Sequence, residues 1–362
     1  MAGPSGVGAL TSLDAACRPP AVPSHVAHTP RQWDRAGLDA RAGEVFCDLP
    51  ARAAEEIAAA HGFIRANGLT LETFEQEDFR VPAFAPMAAE IRRRLDEGAG
   101  VVVLRGVPLD IADEEAAGIT AWGLANYVGR PIRQGLTVDR RLFTVTDRGA
   151  ANTDPTRIGA SAKLSRMHSD NGCLEPRPPD YIALLCVQNA AQGGDSTIIS
   201  AETLHREIAE ARPDLLPWLY RPYHFRPPEL HTWPAGPETV VKPVFDLGEG
   251  RSLNVHYARV MIDPGMELAG LTVEGAMREA LDLFDHLLER EDLAWRYRLK
   301  AGDFLFTNNL TTLHGRLAYA DAPDGGARRV LKRIWLWARH RGPGVDPVAL
   351  DLAERPQTGD ER

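Results

Sequence analysis

The chain has 362 residues, 44% hydrophobic and 25% charged, with 32 Gly and 27 Pro, proportions that fit a globular chain of one large or two modest domains and exclude disordered, collagen-like and disulfide-stapled classes. The formal charge of −9 argues against nucleic acid or anionic membrane as a partner, since both call for a broad excess of Lys and Arg, and favours a small molecule. Cys17, Cys47, Cys173 and Cys186 form no CxxC pair, and no apolar run approaches the roughly 18 residues needed to span a bilayer, so a reducing, cytoplasmic setting is expected.

Residues 1 to 30 are rich in Ala, Gly, Pro and Ser without periodicity and read as a flexible N-terminal segment. Apolar residues at three- and four-residue steps (Ile57, Ala60, Ile64; then Met87, Ile91, Leu95) predict helices over 51–66 and 86–97, a helical layer covering about 31–98. Val101 to Leu104, closed by Gly106 and Pro108, is the first strong strand and opens a β-rich core over about 99–341; an amphipathic stretch at 113–128 follows it. Further strands are expected at 142–146, 181–187, 196–200, 253–262, 303–307 and 328–338, and helices at 201–211 and 273–291. The stripe of the last helix (Ala280, Phe284, Leu287, Leu288) suits either core packing or a homodimer face. Residues 342–362 form a polar tail with Pro343, Pro347 and Pro356. Helices early and many short strands later favour an antiparallel β core buttressed by helices over a βαβ alternation. GxxxxGK[ST], GxSxG and HExxH are absent, and Gly98 and Gly100 precede their strand, the wrong order for a dinucleotide turn.

His168-Ser169-Asp170 places two potential ligands on the same side of an extended segment. His314, in Asn308-Asn309-Leu310-Thr311-Thr312-Leu313-His314-Gly315-Arg316 after the strand Phe304-Leu305-Phe306, supplies a third from far along the chain. Two imidazoles and one carboxylate cap one face of an octahedral iron(II) and leave three positions open, enough for a chelating co-substrate and dioxygen. Taken singly, His314 reads first as a packed core histidine and Asp170 as a turn residue beside Asn171-Gly172.

Downstream, period two puts Arg329, Leu331, Arg333, Trp335 and Trp337 on one face of a strand. Residues 314 to 341 hold seven basic side chains against two acidic ones, in a chain that is acidic overall. Guanidinium grips a carboxylate with a planar pair of hydrogen bonds, so an inward arginine calls for an anion; an outward basic edge that blocks aggregation is the competing reading.

The chain resembles the iron(II)/2-oxoglutarate-dependent oxygenases of the taurine dioxygenase-like family, with clavaminate synthase-like features, from about Trp33 to Arg339. The matching stretches are Gly100 to Pro108, His168 to Asn171, Asp180 to Cys186 with Gly193-Gly194-Asp195-Ser196-Thr197, and Asn308 to Arg316 with Arg328 to Leu336. The resemblance implies an α+β fold with a double-stranded β-helix (jelly-roll, cupin-like) core, a single oxygenase domain over 31–341, and cofactors Fe(II), 2-oxoglutarate and O2. It implies iron ligation by His168, Asp170 and His314, and co-substrate binding by Arg329 (with Arg328 as a competitor) and by Ser196 or Thr197. Arg333, Arg316 and Asn254 fall near the primary substrate, with His256 and Arg259 beside them. The implied reaction hydroxylates or desaturates an unactivated C–H bond of a small, anionic or amino-acid-like substrate, releasing succinate and CO2. Asp170 fills the position that related halogenases leave to chloride, which disfavours halogenation. Residues 147–167 are a candidate lid. A zinc hydrolase built on the same triad would leave Arg329 unexplained, and a non-catalytic metal- or ligand-binding protein would not require the triad intact. His224 and His231, among prolines, carry no ligand spacing.

Overall fold

Val101, Val102, Val103 and Leu104 are all fully buried, so the strand Val101–Arg105 is covered on both faces, and that double burial sets the layering of the molecule. In the computed structural model, residues 22, 29–132, 141–149, 159–171, 178–227, 238–248, 252–324 and 326–339 are described. Of the end segments, 1–30 lies outside them except for Val22, Thr29 and Pro30, and 342–362 lies outside entirely; so do His231 and residues 150–158 of the candidate lid.

The large sheet runs Phe46–Asp48, Val101–Arg105, Phe304–Asn308, Tyr181–Gln188, Val330–Trp337, with Arg130–Ile132 and Phe143–Val145 sharing the far edge of Val330–Trp337. Only its first pair is parallel. A four-stranded antiparallel sheet runs Trp295–Tyr297, Ser196–Ser200, Thr312–Arg316, Ser165–His168. Val101, Val103, Cys186, Leu305 and Leu331 of the large sheet pack with Ile198 and Trp295 of the small one in a shared interior cluster. On its other face the large sheet buries Val102, Leu104, Phe304, Phe306, Ile334 and Leu336 against the helices Ala51–Ala66, Ala85–Asp96 and Glu114–Val128. Ile199 and Leu313 on the outer face of the small sheet pack on Ala201–Ala211, Leu216–Leu219, Arg259–Leu268 and Gly275–Leu288. The result is a two-sheet jelly roll between helical layers, the expected α+β class.

The strand expected over 253–262 stops at Val255, and Arg259–Leu268 is helical although Val260 and Ile262 favour strand and Pro264 removes a helical hydrogen bond. Packing decides it: Ile262 and Met266 fill the outer core, and a Cβ on Gly265 would lie 2.3 Å from the His224 carbonyl oxygen, so the helix rests directly on the strand Pro222–Phe225. The stripe of Gly275–Leu288, with Ala280, Phe284, Leu287 and Leu288, is likewise spent in this core. Short strands at Phe46–Asp48, Arg130–Ile132 and Trp295–Tyr297 had no sequence signal, because three residues are too few to show a period.

This outer core carries a pH liability. His205 on Ala201–Ala211 is buried, its Nε2 lies 2.9 Å from the Tyr220 hydroxyl and its ring edges Phe245; burial drops its pKa to about 4. Because the folded state holds this imidazole neutral, its contribution is complete above the unfolded pKa near 6.5 and is lost as pH falls from there towards 4, up to about 3 kcal/mol. Urea midpoints of the wild type should therefore fall more steeply between pH 7 and 4.5 than those of His205→Gln; equal slopes would contradict this assignment.

Candidate active site

His168 ends the strand Ser165–His168 and faces His314 directly across the small sheet. The register slips between His314 and Arg316, a bulge that glycine makes possible: a Cβ on Gly315 would sit 2.7 Å from the Ser165 carbonyl oxygen and 3.0 Å from Thr197 Oγ1. The two imidazole centroids are 4.7 Å apart, and Asp170 Oδ1 lies 3.2 Å from His168 Nε2 and 3.7 Å from His314 Nε2. One ligand atom from each residue falls within a 4.8 Å group. Donors about 2.1 Å from one ion, at right angles, lie roughly 3 Å apart, so the cluster is close to ligation geometry.

The protonation pattern fits a cation. His168 Nδ1 donates to the Arg166 carbonyl at 2.8 Å, which aims Nε2 at Asp170 Oδ1, 3.2 Å away. Burial drops His314 to about pKa 4, so it is a neutral ligand at physiological pH. Burial alone would raise the Asp170 carboxyl, but the Arg333 guanidinium, the His168 hydrogen bond and the His314 imidazole together hold it well below the usual range. Donor set, spacing and ionisation all suit iron(II).

Three residues fix Asp170. Asn309 Oδ1 accepts from the Asp170 backbone N–H at 2.7 Å, and Asn309 Nδ2 donates to the carbonyls of Asp170 (2.9 Å) and Pro179 (3.0 Å). Asp170 Oδ2 accepts from Trp335 Nε1 at 2.7 Å and from Arg333 Nη1 at 3.1 Å. Ser169, between the ligands, exchanges two hydrogen bonds with Tyr257: its N–H donates to the Tyr257 carbonyl and its Oγ accepts from the Tyr257 N–H.

Beyond the triad lies a second polar group. Arg329 is 3% exposed, and among the described residues its Nε and Nη1 have no hydrogen-bond partner. Its guanidinium carbon lies 5.3 Å from the Tyr319 ring centroid, and that of Arg316 lies 4.6 Å from the same centroid. Arg316 Nη1 and the Tyr319 hydroxyl are also buried without partners among the described residues, while Arg316 Nη2 donates to the Lys163 carbonyl. Burial, then the neighbouring Arg316 charge, brings Arg329 down to about pKa 10, so it still carries its proton at neutral pH. Gly194 (φ +78°) admits the arginine: a Cβ there would lie 3.2 Å from Arg329 Nε. Two buried cations and a hydroxyl with unused donors have the chemistry to take a carboxylate.

The structure places the other sequence candidates apart from or within these groups. Arg328 is exposed and donates to Thr146 Oγ1. Ser196 is paired with Arg316 and Ile198 with His314, so Ser196 shares the face of the ligands; Thr197, paired with Gly315, lies on the opposite face against Met167. Arg316 joins Arg329 around Tyr319 instead of Arg333, whose guanidinium lies between the Phe143 and Trp335 rings, 5.0 and 4.9 Å from their centroids. Asn254 and His256 both bind Asp246, at 2.8 and 3.0 Å, a partner that only the pairing of Phe245–Leu247 with Leu253–Val255 brings into view. Arg259 is spent on Asp263, Asp282 and Asp285. His224 bonds Thr239. Asn309, Tyr319 and the indole of Trp335 carried no sequence signal beyond their place in the motifs, since their roles depend on which backbone they meet across the fold.

With this geometry in place, residues 66–335 match the model of the "Taurine catabolism dioxygenase TauD, TfdA family". The chain belongs to that family. It is 26% identical over 311 residues to FR-33289 synthase of Streptomyces rubellomurinus, covering 84% of this chain and 88% of that protein. It is 25% identical over 285 residues to L-asparagine oxygenase of Streptomyces coelicolor, covering 73% and 80%. A solved asparagine oxygenase structure in complex with Fe(II), 2S,3S-3-hydroxyasparagine and succinate superposes with a TM-score of 0.64 at 20% identity, covering 82% of this chain and 95% of that one. This TauD-family chain shares that fold, and among its described residues no helix is long and apolar enough to cross a membrane.

Proposed function

We propose that this chain holds one ferrous ion on His168, Asp170 and His314 and oxidises a C–H bond of a small amino-acid-like or anionic substrate at the expense of 2-oxoglutarate. The observation that carries the reading is the convergence of three donors beside a buried arginine with unused N–H groups. When iron, 2-oxoglutarate and dioxygen are bound, the chemistry supplied is oxidative decarboxylation to succinate and CO2 coupled to hydroxylation or desaturation of the substrate.

The protein's own part is placement. Arg329, seconded by Arg316 and the hydroxyls of Tyr319 and Ser196, takes the far carboxylate of 2-oxoglutarate, which fixes the reach and direction of its oxo-acid end. Arg333, stacked between two rings and already close to Asp170, meets the acidic group of the primary substrate. Asn254, held with His256 on Asp246, is the polar end available to an amino or amide group. The buried free thiols Cys47 and Cys186 support a reducing, cytoplasmic setting.

The test is anaerobic addition of iron(II) and 2-oxoglutarate, expected to give a weak visible absorption band that shifts as substrate enters. Aerobic screening of free amino acids, peptidyl amino acids and sulfonates for succinate release then identifies the substrate. Absence of both the band and any succinate would overturn the reading.

A further inference from the structure

Asp170 offers two oxygens, and the number that reaches a metal decides how many positions stay open. A one-oxygen carboxylate with two imidazoles leaves three; a chelating carboxylate would take one of them. In this structure Oδ1 alone faces the two histidine Nε2 atoms, while Oδ2 points the other way, 2.7 Å from Trp335 Nε1 and 3.1 Å from Arg333 Nη1.

The two partners of Oδ2 differ in permanence. Arg333 is a cation that an incoming acidic group can draw away. Trp335 is a neutral donor with no acceptor capacity, 2% exposed. It is set within a strand bonded on both sides, opposite Ile182 on one edge and Ile132 on the other. Its backbone is therefore held from both sides, and the buried ring has little room to leave the carboxylate. Asp170 is equally buried and its backbone is pinned by Asn309, so the carboxylate has few other orientations to adopt.

We propose that Trp335 is a positioning residue that would keep Asp170 a one-oxygen ligand by holding its Oδ2 away from the triad. The inference rests on the triad being the metal site. It also gives the tryptophan a task that its bulk in the core does not explain: a phenylalanine would fill much of the same space and still stack under Arg333, yet would leave Oδ2 without its neutral donor.

The first test compares manganese(II) binding by wild type and Trp335→Phe, read by electron paramagnetic resonance, with urea midpoints of the metal-free proteins as the fold control. Expected is a dissociation constant raised about 10- to 100-fold, the range for loss of a ligand-orienting contact, together with an altered spectrum of the bound ion. A folded Trp335→Phe protein with affinity and spectrum equal to the wild type overturns the proposal. Failure of the wild type itself to bind manganese would instead overturn the triad reading. The second test does not depend on that variant folding. In ¹⁵N-tryptophan-labelled protein, one indole N–H signal should move and lose protection from exchange in Asp170→Ala; if no indole signal responds, Trp335 does not hold that carboxylate.

Discussion

Replacing His168 or Asp170 with alanine should abolish the visible band of the anaerobic iron(II)–2-oxoglutarate complex and cut substrate-dependent succinate release on the order of a thousandfold or more. Each substitution removes one of the three donors that lie within 4.8 Å of one another, which weakens the hold on a divalent ion. The two variants should differ in the metal-free protein. His168 is part-exposed at the edge of the small sheet and its ring spends one hydrogen bond on the Arg166 carbonyl, so its loss should cost little stability. Asp170 is buried and compensates the Arg333 guanidinium, so alanine there removes the counter-charge from a cation held between two rings. Thermal melts should show Asp170→Ala well below the wild type and His168→Ala close to it. Manganese(II) should stabilise the wild type by about 2.7 kcal/mol at a hundredfold excess over the dissociation constant, raising its melting temperature, and leave both variants unmoved. A normal band in Asp170→Ala would mean that the metal lies elsewhere.

Much of this site was legible along the chain because its chemistry needs few residue types in fixed relations. His168 and Asp170 are two apart on extended backbone, and the face shared by Leu331, Arg333 and Trp335 follows from period two; in the fold Leu331 enters the interior cluster, Arg333 and Trp335 reach Asp170, and Ile334 and Leu336 pack the helical layer. The doubly buried strand at Val101 announced itself as an unbroken apolar run. What stayed hidden depends on pairing register and on tertiary contact. That Ser196 and not Thr197 shares the ligand face is a property of which residue lies opposite Arg316. That Arg316 stands with Arg329 follows from Tyr319, three positions on, presenting its ring to both. The helix Arg259–Leu268 has a strand-like composition, and only the approach of Gly265 to His224 explains it. Asn309, five residues before His314, satisfies the backbone of Asp170 from 139 positions away, a role visible only once the two loops meet.

Arg329→Met should raise the KM for 2-oxoglutarate by roughly a hundred- to a thousandfold, the cost of truncating one side of a buried, hydrogen-bonded charge pair. Arg329→Lys should recover only part of it, because an ammonium lacks the planar pair of N–H groups. The same substitution should have the opposite effect on the protein without co-substrate. Arg329 is buried, carries two donors with no partner among the described residues, and lies beside a second buried cation at Arg316, so the resting fold bears the desolvation and repulsion of a charge that no carboxylate hydrogen-bonds at those donors. Methionine of similar length removes that burden, and the co-substrate-free variant should melt at or above the wild-type temperature. Addition of 2-oxoglutarate with manganese(II) should then stabilise the wild type beyond the effect of metal alone and leave the variant where metal alone puts it. The pair of measurements separates a binding residue from a structural one: a structural arginine would lower the melting temperature when removed and leave the co-substrate increment intact. If Arg329→Met melts lower and still responds to 2-oxoglutarate, the carboxylate is held elsewhere, and Arg316, whose Nη1 is also buried without a partner, becomes the residue to replace next.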